Sequence, residues 1–119
     1  MFTISKQQMQ SLESALERRF VTRVIEYLKK HLPEEVARRE RKALEEQVMA
    51  DIQVAKGHDI RQDADLAKWC FMAFICGSKF YEAEDIREFL KEPLMSASVK
   101  VDYLMRSLAH TLASSEMKR

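Results

Sequence analysis

Pro33, Gly57, Gly77 and Pro93 are the only prolines and glycines in the 119-residue chain. Folds built from many short strands reverse direction often and rely on these residues, since glycine reaches positive φ and proline pre-sets a turn. Helices need far less punctuation. The sequence therefore predicts an all-α protein, a compact single-domain bundle of about five helices with a central apolar helix, spanning residues 1–119 with a frayed tail at about 114–119. A hydrophobic content of 46% is enough for one core in a chain of this size.

The first helix announces itself with ISKQQM. Ser5 is placed as N-cap, Gln8 as its reciprocal capping-box partner, and Ile4 as a staple onto Met9. Met9, Leu12, Leu16, Phe20, Val24, Leu28 and Leu32 then recur every three or four residues, which predicts a helix over residues 6–31 with one apolar stripe, widened by Val21 and Ile25 enough to meet two neighbours rather than one. Pro33 disfavours helical geometry at Leu32 and suits the first turn of a new helix, with Glu34 and Glu35 at its favourable dipole end. The gap between Val36 and Leu44 predicts a short helix, a bend and a longer helix that buries Leu44, Val48, Ile52 and Ala55 and stops at Gly57. The i,i+4 pairs of EEVARRERKALEEQ read as a solvated face, with a docking strip as the alternative. A third helix begins near Asp63 and ends at Gly77, and EDIREFLK forms a short amphipathic helix before Pro93. Ser96 or Ser98 caps a last helix whose apolar side carries Val101, Leu104, Met105, Leu108 and Leu112.

WCFMAFICG, Trp69 to Gly77, is the least polar run in a chain of which 33% is charged. As a helix it rises about 13 Å, whereas a bilayer takes about 20 apolar residues, so no membrane span is expected. Leu66 and Ala67 share its phase, which favours helix over buried strand. Apolar on every side, such a helix is either the centre of the bundle or covered on one side by a partner. Phe74 reads as a core position whose truncation to alanine costs about 3–5 kcal/mol. Cys70 and Cys76 would lie about 9 Å apart along the axis, beyond disulfide reach, and are expected to be reduced, buried thiols.

His58, Asp59, Asp63 and Asp65 are the only clustered set of potential ligands. A calcium loop needs regularly spaced oxygens, a turn glycine and a terminal bidentate glutamate, an order GHDIRQDAD lacks. Asp59 or Asp63 reads instead as a helix cap or first-turn acid, and His31 and His110 fall near expected helix ends. The sequence contains no glycine-rich phosphate loop, serine elbow, paired-histidine zinc motif or Cys-x-x-Cys. The expectation is a protein that is not an enzyme, with no catalytic residue, metal or cofactor. A dispersed site using His58 and Asp63 is the competing reading.

Twenty Lys and Arg against 19 Asp and Glu leave a net charge of +1, too little for a long-range field that draws nucleic acid or anionic lipid. Arg18, Arg19, Arg23, Lys29 and Lys30 are interleaved with Glu17 and Glu26 and lack a stacking platform, so nucleic acid is not an expected partner. MFTISKQQMQ has no secretory pattern, and two cysteines fit a reducing compartment, which predicts a cytoplasmic location.

Four stretches carry a resemblance over almost the whole chain: Ile4 and Gln8 followed by LESALERRF, then YLKKHLPE, then DLAKWCFMAFICGSKF with Gly77 and Phe80 closing the central helix, then VKVDYLMRSLAHTL. In these the chain resembles a family of small helical proteins that Gram-negative bacteria encode beside type VI secretion genes, near those for the spike, its tip and the secreted toxic effectors. GHDIRQDAD is slightly longer than that family's glycine-aliphatic turn. The resemblance implies a non-enzymatic adaptor, chaperone or co-effector that binds an effector or spike component, cytoplasmic or exported with the secretion complex. The alternative is an immunity protein that covers a neighbouring toxin, although the nearly neutral charge supplies no strongly complementary face. Aromatic anchors commonly dominate interfaces, which makes Phe20, Tyr27, Trp69, Phe71, Phe80, Tyr81 and Phe89 the candidate partner-binding residues; a core position is the competing reading of each. The oligomeric state stays open.

Overall fold

The computed structural model describes the backbone of residues 5–117 and the side chains of residues 5–110. Among these residues there are six α-helices, one 3-10 turn and no strand, so the protein is all-α. The chain divides into two compact units, Met1–Met49 and Ala50–Arg119.

In the first unit, α1 runs Lys6–His31, the span its periodicity predicts. Its capping box is complete: the Gln8 amide donates to Ser5 Oγ at 3.1 Å and the Ser5 amide to Gln8 Oε1 at 2.9 Å. The Ile4 staple lies outside the described residues. Leu32 leaves helical geometry with φ −136°, and Pro33 opens α2, Pro33–Ala37. The chain then bends before α3, Arg41–Gly57, which crosses from the first unit into the second. A short helix, a bend and a longer helix are what the Val36–Leu44 gap predicts.

The single apolar stripe expected on α1 is two faces. Each four-residue step advances about 40° round the helix, so a run of such steps winds away from its starting side. Val21, Val24, Ile25 and Leu28 are at most 2% exposed, whereas Met9, Leu12 and Leu16 are 42%, 49% and 53% exposed. Leu44, Val48, Ile52 and Ala55 of α3 are buried as expected, joined on the same face by Asp51; Val36 is only half-buried.

Gly57 does not supply the left-handed residue that ends α3. The Asp59 amide donates to the Lys56 carbonyl at 3.1 Å and the Ile60 amide to the Ala55 carbonyl at 3.1 Å, the two reversed bonds of a Schellman stop. Asp59 takes the positive φ, 64°, while Gly57 sits in the last helical turn. Ile60 and Ala55 are both buried, the apolar contact that accompanies this motif. The left-handed residue thus falls two positions past the glycine.

The second unit is built round α4, Asp63–Cys76, whose residues from Asp65 to Ile75 are all buried or half-buried. Asp63 is a first-turn acid, and Gln62 stands at the N-cap without a side-chain bond. Gly77 ends the helix at φ 97° and ψ 148°, a conformation that only glycine adopts readily. A 3-10 turn at Phe80–Glu82 leads into α5, Glu84–Leu90. The last helix, α6, spans Ala97–Met117, and Ser96 Oγ accepts from the Val99 amide at 3.3 Å, making Ser96 rather than Ser98 the cap. Only 118 and 119 of the expected frayed tail lie outside the described backbone. Ser98 serves differently: its hydroxyl donates to Asp65 Oδ2. With Lys68 bonded to Asp102, the order of partners shows α4 and α6 running in the same direction.

Candidate partner-binding groove

Gly77 makes the groove. Its positive φ turns the chain at the end of α4, so that Phe80 returns against Trp69 with ring centroids 4.8 Å apart. Trp69 is wholly buried, and the rings of His58 and Tyr81 lie beside it at 5.5 and 6.0 Å. On this support α5 lies beside α6. Met72 and Cys76 of α4, Phe80, Ile86 and Phe89 of α5, and Leu104 and Leu108 of α6 line an open groove of about 350 Å³, with Asp85 and Ser107 as its polar members. Phe89 stacks on Tyr103 at 4.9 Å, which carries the apolar surface out of the groove. One turn earlier on α6, Val99 shares that face; it is 53% exposed and Tyr103 57%, and Leu94 in the preceding connection is 92% exposed.

Of the seven aromatic residues singled out by sequence, Phe80 and Phe89 line this groove. Trp69 belongs to the core and presents no surface to a partner. Tyr81 and Phe71 are half-buried, and Tyr81 packs edge-on to His58 and Phe80. Phe20 and Tyr27 are half-buried on α1 in the other unit, where Arg23 lies over Phe20 at 6.0 Å and Tyr27 meets His31 at 4.7 Å. Tyr103 was not a candidate, because its helix shows an apolar side without it; its pairing with Phe89 is visible only in three dimensions.

The cysteines differ from each other, contrary to the expectation that both are buried. Cys70 is buried, and that burial, followed by the negative charge of Asp51, pushes its thiol up to about 12. Cys76 is exposed at the end of α4, and partial burial still raises its thiol. Neither is activated as a nucleophile.

The loop cluster is scattered by the fold. Asp59 sits in the turn with Arg61 at 3.6 Å, Asp63 begins α4, Asp65 points to Ser98, and His58 stacks on Trp69. Among the described residues no three His, Cys, Asp or Glu are placed to hold a metal ion. Burial, and then Lys100, lower the pKa of His58, against a smaller opposing effect of Asp59. No described helix is long and apolar enough to cross a membrane. What the groove offers is an apolar, aromatic-edged surface, the chemistry of helix or side-chain docking. Comparison with known protein families, with curated proteins and with solved structures finds no match.

Proposed function

We propose that the protein is a non-enzymatic accessory of a type VI secretion system, an adaptor, chaperone or co-effector that holds an effector or spike component in the groove between α4, α5 and α6. The observation that carries this reading is the apolar groove lined by Phe80 and Phe89 and continued over Tyr103 to solvent. Isolated exposed apolar side chains are ordinary, but a contiguous groove with an aromatic margin suits a protein partner. The resemblance to proteins encoded beside spike and effector genes supplies the class of client. Action takes place in the cytoplasm, before or during loading of the secretion complex.

The test is affinity capture in a host expressing its type VI cluster, comparing the native chain with Phe89→Asp and Tyr103→Asp. Recovery of an effector or spike component by the native chain, and at least tenfold less by folded variants, supports the reading. Recovery of neither component overturns it. Co-expression with a neighbouring toxin separates the runner-up: restored growth with no effect on secretion identifies an immunity protein.

A further inference from the structure

Each wall of the groove offers two apolar side chains one helical turn apart: Met72 and Cys76 on α4, Ile86 and Phe89 on α5, Leu104 and Leu108 on α6. The described residues include no strand, so no sheet edge is on offer for an extended peptide to pair with. An occupant is held by its side chains, and anchors one turn apart on a helix match the period of all three walls. The open volume of about 350 Å³ lies at the small end of ligand sites, room for a pair of apolar side chains.

Charge narrows the occupant further. Asp85 is the only charged residue that lines the groove, and it is exposed. Its Oδ1 accepts from the Ile86 amide at 2.9 Å, and among the described residues no cation pairs with it. The cations nearest the lining along their helices are already held: Lys68, one turn before Met72, by Asp102 at 2.7 Å, and Lys100, one turn before Leu104, by the Leu90 carbonyl at 2.6 Å. On α5, Glu84, Arg87 and Glu88 project about 110–150° from the middle of the groove face, and on α6 Asp102 and Arg106 about 150° or more. Lys79 and Glu82, in the connection, offset each other. Asp85 is thus the charge an occupant meets.

From this arrangement we infer that the groove takes an amphipathic helix of the client, with two apolar anchors one turn apart and a lysine or arginine beside them that pairs with Asp85. The inference rests on the groove being the client's seat, and adds which kind of segment enters it and with what charge. The anchors supply most of the affinity, because Asp85 is exposed and a surface ion pair is weak. Asp85 instead sets the choice: a basic flank is accepted, while an acidic one meets a like charge beside an apolar floor.

Three capped peptides of about 16 residues on an alanine–glutamine background, long enough to form a helix, serve as probes. One carries two leucines four residues apart and a lysine four residues further on; the second has glutamate in place of that lysine, and the third has serine in place of both leucines. Titrated into the isotope-labelled full chain and followed by NMR, the lysine peptide is expected to bind about threefold or more tighter than the glutamate peptide, a preference that about 0.5 M salt removes. Asp85→Lys is expected to invert the order, and Asp85→Asn, which keeps an acceptor for the Ile86 amide, to abolish it. The serine peptide is expected not to bind. Equal binding of the lysine and glutamate peptides to the native chain, or an order unchanged in Asp85→Lys, overturns the inference while leaving the groove as the client's seat. Equal binding of the serine peptide overturns it too, since the contact is then one of charge alone. Binding of none of the three also overturns it; the groove reading then stands if the native chain captures an effector or spike component that Phe89→Asp loses, and falls with it otherwise.

Discussion

Lys68 Nζ lies 2.7 Å from Asp102 Oδ1, a polar tie between α4 and α6. The hydrogen bond from Lys68, and then its charge, hold the Asp102 carboxyl below its usual range. The unfolded chain therefore takes up this proton at a higher pH than the folded one. The tie contributes its full stability above the ordinary carboxylate range and loses it as pH falls below that range through the lower pKa of the folded state. The melting-temperature gap between the native chain and Asp102→Asn is expected to be widest near neutral pH and to close as pH falls below the ordinary carboxylate range. Both partners are partly exposed, so added salt should narrow the gap as well. A gap independent of pH and salt would assign Asp102 a packing role instead.

The second tie is more deeply set. Asp65 is 5% exposed and accepts from the Ser98 hydroxyl. Removing one member of a buried pair leaves the other desolvated and unanswered, at a cost of about 1–3 kcal/mol. Ser98→Ala is expected to lose that much in urea unfolding with an unchanged slope, whereas Ser96→Ala, which removes an exposed cap, should lose about 1 kcal/mol or less.

Gly57 and Asp59 invite opposite substitutions. Gly57 lies in the last helical turn with open space where a Cβ would project, so Gly57→Ala is expected to stabilise by about 0.5–1 kcal/mol. Asp59 holds φ 64°, and Asp59→Gly relieves a left-handed side-chain penalty of about 1 kcal/mol, offset in part by the added freedom of the unfolded chain. Gly77→Ala, by contrast, forces an L side chain to φ 97° and is expected to destabilise by at least about 1 kcal/mol. If Gly57→Ala were the damaging change and Asp59→Gly neutral, the Schellman assignment would be in error.

These turns mark where sequence reasoning works and where it stops. Ser5 and Gln8, Pro33 and Gly77 act over a few residues, so their roles are legible from local chemistry and the helix boundaries follow. The identity of the left-handed residue after α3 depends on Ile60 reaching the core beside Ala55, a choice that local propensity for glycine does not reveal. The stripe on α1 reads as continuous because steps of three and four look equivalent in a sequence, yet the drift of about 40° per four-residue step separates Leu16 from Leu28. Phe80 and Phe89 were recognisable as candidates by residue type. That they share a groove while Trp69 lies beneath it follows from the turn at Gly77 and the placement of α5 on α6, which no spacing encodes.

Burial also redistributes the energetic weight along α4. Phe74 is half-buried rather than fully so, and its truncation to alanine is expected to cost about 1–2 kcal/mol, below the 3–5 kcal/mol of a fully enclosed aromatic. Trp69, with no exposed surface, takes the larger value of about 3–5 kcal/mol on change to alanine. Its indole Nε1 is buried with no hydrogen-bond acceptor among the described residues. Trp69→Phe removes that donor along with part of the ring, so the desolvation relieved offsets volume lost, and a net cost within about 1.5 kcal/mol is expected in urea titrations. A cost near that of alanine would mean that the indole nitrogen has a partner in solution.

The two thiols should report the fold directly. Cys76 is exposed at the rim of the groove, while Cys70 is buried and its thiol is pushed up to about 12 by desolvation and by Asp51. Alkylation needs both access and thiolate, and at pH 8 only Cys76 offers the first. Iodoacetamide treatment of the native protein followed by intact mass is expected to show one adduct, mapped to Cys76, with the second appearing only in denaturant at a rate that tracks unfolding. Because Cys76 lines the groove, saturation by a partner bound there should slow the first adduct several-fold. Protection of Cys76 without any bound partner would place this end of α4 in a covered surface, and rapid native labelling of Cys70 would contradict the central position of the helix.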